Sequence, residues 1–498
     1  MKFAQPFFLI LLLALCHTSL NAQKVFDFNP ACQQAYSAIL SLRIADGQKI
    51  LEQEKAEHPN NLIPYFLDNY VDFFPLFFNE DPDEFDKKEP FKMARLEVMK
   101  LGPKDSPWTL FTQAILQLQW SAIHIKFGEK WAAGWSMKAA NDLIKENQKN
   151  FPNFTPNSLV LGPLRMVCGT IPKSYQWLSG IMGLKGNIAQ GMQDLTGFMN
   201  RKDAMSTIFH DEAVFYTCYL KFYIENKPDD ALAIIQQQHL DVINNQLFTY
   251  MAANLSLNNQ QSANTKLFVA NRNLSPSYLQ ISIWDFEMAY AKLYHLEPDA
   301  GQYFERFLTH FKGNFYVKDA WLKYGWSFLI QNNMPQYYHC MDMVKTKGNT
   351  DTDADKKALK DAKAGKLPNV LLLKSRLLTD GGYTKEAFQM LAGKSTADFP
   401  SMDDKLEFAY RVGRINEELG HYDNALEAYL STIKLGRDRT EYFAARAALE
   451  AGMIYETQKK NKQMAIAFYQ QCLDLPDHDY KNSLDQKAKS GIARCTGQ

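Results

Sequence analysis

One stretch constrains this chain more than any other. From Glu407 to Leu435 it reads EFAYRVGRINEELGHYDNALEAYLSTIKL, and its layout returns farther along. Gly413 is followed by Gly420 and Tyr422 at a turn signal, then by Ala425 and, one helical turn later, Tyr429. Gly452, Tyr455, Ala465, Tyr469 and Cys472 take the same places in a second copy, with one extra residue in its turn QKKNKQ. Apolar residues three and four apart on both sides of each turn give the period of a helix, not of a strand. Each copy therefore reads as a helical hairpin. Its small residues, Gly and Ala, mark where the two helices cross, because a larger side chain would hold the backbones apart. The Tyr one turn beyond the Ala fills the gap against the next hairpin. A hairpin of this kind buries its apolar face only by stacking on neighbours.

Upstream, LLLKSRLLTDGGYTKEAFQML is a third copy, with Gly381 and Gly382 at the turn and Ala387 at the crossing. WLKYG, Trp321 to Gly325, resembles the opening of a fourth, with Tyr337 where the crossing Ala is expected. Ala300, Ala263 and Ala231 head three more second helices. The crossing positions 231, 263, 300, 337, 387, 425 and 465 lie mostly 32 to 40 residues apart. This period and the Gly, Ala and Tyr positions resemble the tetratricopeptide repeat, whose unit is about 34 residues. The resemblance implies an all-α fold, an α-solenoid of stacked helical hairpins wound into a superhelix.

The long step between 337 and 387 holds KTKGNTDTDADKKALKDAKAGKLPN, a polar insert over 345–366 expected to form an exposed extra turn or short helix capped by its aspartates. Asp351, Asp353 and Asp355 resemble the start of a calcium loop. Lys356 stands where that loop needs Gly, however, and Ala362 where it needs the bidentate Glu. The N-terminal half is less regular: 31–58 reads as a hairpin closing on HPNN, and 107–127 with 129–150 as another closing on NFPN.

Two segments stand apart. Residues 62–85 carry Tyr65, Phe66, Tyr70, Phe73, Phe74, Phe77, Phe78 and Phe85. Their spacing of three and four is a helical stripe, which favours core, with Pro75 marking a kink; the competing reading is an aromatic anchor for a partner. Residues 157–195 are poor in charge and rich in glycine, and Pro163 and Pro172 argue against a spanning helix. Gly162, Gly169, Gly180, Gly183, Gly186 and Gly191 there suggest close helix approach. The glycine and proline spacing of this segment, with GLKGN, resembles the eukaryotic inclusion-body-clearance family of tetratricopeptide proteins (tetratricopeptide-repeat-39). IWDFEMAYAKLYHLEPDAGQYFERFLTHFKGNFYVKDAWLKYGW is similar to that family's paired helices. The chain is also similar to secreted repeat proteins of Bacteroidetes. These resemblances imply an interaction role and bring no catalytic residues.

The first 22 residues read as a cleavable signal peptide: Lys2, an apolar run from Phe7 to Leu15, and a small residue at Ala22. Leu15 before Cys16 does not suit lipid attachment. Export to the periplasm, cell envelope or medium is therefore expected, with no integral membrane segment in the mature chain. Charges balance at 55 against 55, so no basic field exists to draw nucleic acid. Cys32, Cys168, Cys218, Cys340, Cys472 and Cys495 show no paired metal or redox spacing and read as small buried thiols. GKST at 393–396 lacks the upstream glycine of a phosphate loop, with Phe388 in its place. HExxH, GxSxG and GxGxxG do not occur, and the scattered histidines offer no metal pair by helical spacing. No cofactor, metal or catalytic residue is expected.

The sequence thus divides into a signal peptide over 1–22, irregular helical hairpins over 23–200, divergent hairpins with the polar insert over 201–365, and repeats over 366–498. The function expected is a non-catalytic scaffold that binds a protein or peptide partner in its concave groove. The alternative is a carrier or sensor of a hydrophobic small molecule, with Phe73, Phe77 and Trp177 as the residues that would meet a partner or ligand.

Overall fold

Local hydrogen bonds fix where the helices start. Asn29, Asp81, Ser106, Asn245, Asn369 and Ser401 each accept from a main-chain amide of the first turn, which otherwise has no partner. Pro30, Pro82, Pro107 and Pro228 hold the first helical position, where a missing N–H is harmless. The computed structural model describes residues 23–168 and 186–497, and among them stand twenty-five α-helices and no strand. Val25 and Asn61 make one isolated bridge.

The N-terminal half begins with α1 (Pro30–Leu40), α2 (Ile44–Glu57), α3 (Ile63–Asn79) and α4 (Pro82–Lys100). Then come α5 (Pro107–Lys126), α6 (Lys130–Asn150), α7 (Ser158–Cys168), α8 (Ile188–Met199) and the short α9 (Ala204–Ile208). Hairpins follow in series: α10 (His210–Tyr223) with α11 (Pro228–Gln237), α12 (Gln246–Asn258) with α13 (Ser262–Asn271), α14 (Ile283–Tyr294) with α15 (Ala300–His310), and α16 (Val317–Ile330) with α17 (Met334–Thr346). The polar insert forms α18 (Asp353–Ala364). The last hairpins are α19 (Val370–Asp380) with α20 (Thr384–Leu391), α21 (Met402–Glu418) with α22 (Tyr422–Gly436), and α23 (Phe443–Thr457) with α24 (Lys462–Asp474). A final helix, α25 (Lys481–Thr496), covers the end of the stack.

The hairpins share one turn. Asn226, Gln260, Leu296, Asn332, Gly382, Gly420 and Lys460 all adopt left-handed backbone directly after a first helix. In five of these turns the next amide reaches the carbonyl five residues back: Gln261 to Ser256, Glu297 to Lys292, Asn333 to Phe328, Tyr383 to Leu378 and His421 to Asn416. This is the Schellman closure of a helix C-terminus. Leu42 after α1 and Gly128 after α5 close the same way, through Arg43 to Ala38 and Glu129 to His124. Among the described residues the same turn therefore recurs well upstream of 366–498, at α1–α2 and α5–α6. The apolar core is divided into successive clusters: one runs from Phe28 to Met288, the next from Leu257 to Leu377, then Leu372 to Ile415 and Tyr410 to Cys495.

The packing corrects two details. Ala263 is exposed, and its hairpin instead buries Ser262 and Thr265, whose hydroxyl donates to the Ala253 carbonyl. A small residue was the right requirement, but the register is shifted by one. The polar insert is a helix, yet Thr352 rather than an aspartate caps it, and Asp355 is fully buried. Asp355 accepts from the Tyr316 and Asp319 amides and so caps α16, a neighbouring helix. Ala358 and Ala362 dock α18 onto the core.

Candidate functional site: the inner wall of the C-terminal repeats

The first helices of successive hairpins pack against one another: α14 on α16, α16 on α19, α19 on α21 and α21 on α23. They make one wall of the stack, called the inner wall, with equivalent positions aligned on the left-handed turns. Tyr290, Trp326, Arg376 and Arg414 each stand six residues ahead of the turn residues Leu296, Asn332, Gly382 and Gly420. They form a ladder along the inner wall, crossing α14, α16, α19 and α21. Two recesses lie along it. One of 300 Å³ is lined by Trp326, Arg376, Glu407, Tyr442 and, from its rim, Lys360 and Asp479. The other, of 430 Å³, is lined by Tyr294, Asp380, Arg414, Arg446, Glu450 and Lys487. Residues one helical turn apart, such as Arg376 with Asp380 and Tyr442 with Arg446, belong to adjacent recesses, so the two share one wall.

The first recess is aromatic and carries both signs of charge, with Arg376, Lys360 and Lys366 beside Asp403, Asp404, Glu407 and Glu441. Lys323 stacks over the Trp326 ring at 3.8 Å and Arg376 at 4.9 Å, geometries in which the ring faces stabilise the charges. Burial pushes the Lys323 ammonium down, against the attraction of Asp319. The Trp326 indole Nε1 is buried without a hydrogen-bond partner. The rim is closed by α18, whose Lys360 pairs with Asp479 at 2.8 Å, 119 residues away in the chain.

The second recess is an ion network. Arg414 meets Glu417 at 3.1 Å, Glu418 at 2.9 Å and Glu450 at 3.2 Å, and Arg446 also pairs with Glu450. Burial opposes ionisation of Glu450, but Arg446 and Arg414 outweigh it and hold the carboxyl below its usual range. Burial and then the Glu450 charge push Glu417 up to about 7. Lys487 lacks an ion pair, and burial beside Arg446 pushes it down to about 8.

The residues named from the repeat pattern are packing residues. Ala387, Ala425 and Ala465 are fully buried at their crossings. The nearest atoms to a side chain placed at Gly413 or Gly452 are the rings of Tyr429 and Tyr469, so each glycine makes room for an aromatic of its own hairpin. Tyr469 also meets Gly491 of α25, and Tyr455 stacks on Phe468 at 5.4 Å. Phe73 and Phe77 stack on each other at 5.5 Å and line a cavity in the N-terminal half together with the buried Tyr70, Phe74 and Phe78, whereas Phe66 is core alone. Trp177 lies outside the described residues. Gly162 and Gly191 bring α7 and α8 together, each facing the other's carbonyl oxygen.

Glu54, Glu57 and His58 were not singled out by sequence and form a compact group at the end of α2. Glu54 is already engaged by Asn29, Asn61 and His58. All six cysteines in the described residues are buried free thiols, and no described helix is long and apolar enough to cross a membrane.

Residues 445–479, α23 and α24 with their flanks, match the family model of the tetratricopeptide repeat. The fold and this match define an all-helical solenoid that contains a tetratricopeptide repeat. No curated protein matches the chain. Among solved structures, one from the APC/C hetero-tetramer Cut9–Hcn1 is similar to it at 12% identity, covering 92% of this chain and 95% of that chain, with a TM-score of 0.27.

Proposed function

We propose that this protein is an exported, non-catalytic scaffold whose C-terminal repeats hold an extended segment of a partner protein against the inner wall. The observation that carries the reading is the first recess. There Trp326, whose buried indole donor has no partner, lines one recess with Arg376, Tyr442 and the carboxylates of Asp403 and Glu407. Such a surface suits a chain that offers carbonyl acceptors, an apolar side chain and charges of both signs. The cations and carboxylates of the second recess extend the same wall with both signs of charge, which favours orientation of a bound segment over bulk attraction. The signal-like N-terminus supports export, and N-terminal sequencing of the mature protein is expected to begin at Gln23.

Photo-crosslinking in the native cell decides the site. A crosslinking residue at Tyr442 or Arg376 is expected to trap one discrete protein, and the same residue at exposed Leu430 on α22 is not. Equal trapping from both faces, or none from the groove, overturns the proposal.

A further inference from the structure

The N-terminal half carries a different kind of recess. A cavity of 270 Å³ lies between α3, α5, α7 and α10, walled by Phe73, Phe77, Leu118, Ala122, Phe215 and Tyr219. Among the described residues its lining is almost entirely apolar and holds no lysine or arginine. An apolar void destabilises a fold in proportion to its volume, and helical cores are ordinarily filled. This half is otherwise closely packed with aromatics, which makes the space a feature to be explained.

Two polar side chains face it. Glu212 is spent: its carboxylate accepts from the hydroxyls of Tyr36 at 2.5 Å, Tyr70 at 3.0 Å and Tyr216 at 2.8 Å. Gln119 is not. It is 3% exposed, and its orientation is fixed through Asn69. Trp120 can only donate, and it donates to Asn69 Oδ1 at 2.9 Å. Asn69 must then present its Nδ2, which donates to Gln119 Oε1 at 2.6 Å. The Gln119 Nε2 group is left as a donor without a partner in the wall of an apolar cavity. A bound acceptor there would meet a donor whose direction is already fixed and whose surroundings are apolar, which favours the bond.

We propose that this cavity is a binding site for an uncharged small molecule with a compact apolar body and one hydrogen-bond acceptor, the acceptor meeting Gln119. A cavity of 150 Å³ takes benzene, so this one suits about ten to twelve non-hydrogen atoms. A carboxylate ligand is disfavoured because the described lining offers no cation to offset its lost hydration. A cationic ligand would place its charge against the Gln119 donor and lose its hydration.

Calorimetric titration of the full-length purified chain tests the site with three probes of one size: benzylacetone, butylbenzene and hydrocinnamate. Benzylacetone is expected to bind one to one, with hydrocinnamate at least about tenfold weaker at neutral pH. Gln119→Leu is expected to weaken benzylacetone about tenfold and leave butylbenzene unchanged. Ala122→Phe fills the cavity and is expected to abolish both. Should that variant not fold by circular dichroism, Leu118→Phe enters from the preceding turn and serves the same end. The proposal is overturned if benzylacetone does not bind, if a folded cavity-filling variant binds it as well as the native protein, or if hydrocinnamate binds equally. The groove crosslinks lie in the other half of the chain, so either result stands without the other.

Discussion

The two halves stack helical hairpins by the same turn but fill the space between helices differently. In the C-terminal repeats a glycine faces a tyrosine ring: Gly413 with Tyr429, and Gly452 and Gly491 on the two sides of Tyr469. The interior is complete there, and polar side chains are sent to the inner wall. In the N-terminal half, aromatics crowd α3 and leave a cavity beside Phe73 and Phe77. A regular repeat spends its aromatics on joints between units, whereas an irregular one can turn the same residue types towards an internal space.

The sharpest way to break this contrast is to remove one ring from each half. Tyr469 is fully buried and its hydroxyl donates to Glu456 at 2.5 Å, so Tyr469→Ala is expected to cost about 4 kcal/mol in urea unfolding. Phe77 is half-buried against the cavity, and Phe77→Ala is expected to cost about 1 kcal/mol. Similar losses for the two would erase the distinction.

The joint between the halves gives the next largest effect. Glu287 on α14 is fully buried, Asn254 donates to one of its oxygens, and the other lacks a partner. Burial pushes its carboxyl up to about 7 from an ordinary value of 4.5. Below 4.5 the folded and unfolded chains both hold the proton. Between 4.5 and 7 only the folded chain does, so stability falls as pH rises, by about 3 kcal/mol in all, and the contribution is gone above 7. Glu287→Gln removes this fall, so the gap between variant and native midpoints is expected to widen from pH 4.5 to pH 7. A constant gap would place the proton elsewhere.

A smaller effect separates the turns. At Gly382 a methyl group would strike the Gln260 carbonyl oxygen of an earlier hairpin, in addition to the left-handed backbone. At Gly420 only the backbone conformation is at stake. Gly420→Ala is expected to cost about 1 kcal/mol and Gly382→Ala about 2 kcal/mol more, by thermal unfolding. The least is expected from the cap at Ser401, which accepts from the Asp404 amide: Ser401→Ala should cost about 1 kcal/mol or less.

Helical class and repeat period were legible because Gly413, Gly420, Ala425 and Tyr429 are residues whose size or backbone freedom the packing demands. The hairpins upstream were harder to place for a physical reason. Their turns put Asn226, Gln260, Leu296 and Asn332 in left-handed backbone, and a sequence announces that conformation only through glycine. The register slip at Ala263 has the same root, since Ser262 and Thr265 meet the size requirement equally well. The inner wall was missed altogether. Tyr290, Trp326 and Arg376 share a repeat position but not a residue type, and only alignment on the turns shows them with Arg414 as one ladder. Phe73 and Phe77 were singled out as aromatics, but Gln119 could not be, because its free donor depends on Trp120 and Asn69.

The uniform hairpin turn has a consequence for how such a chain can change length. The links within hairpins stay short, as in 331–333, 381–383 and 419–421, because the Schellman closure accepts only that geometry. The links between hairpins run from 437–442 to 347–369, the latter long enough to hold all of α18. While hairpin turns gain only a residue or two, as at 295–299 and 458–461, the long insertions among the described residues sit between hairpins. There they add material such as the Lys360–Asp479 rim without disturbing the order of the inner-wall helices.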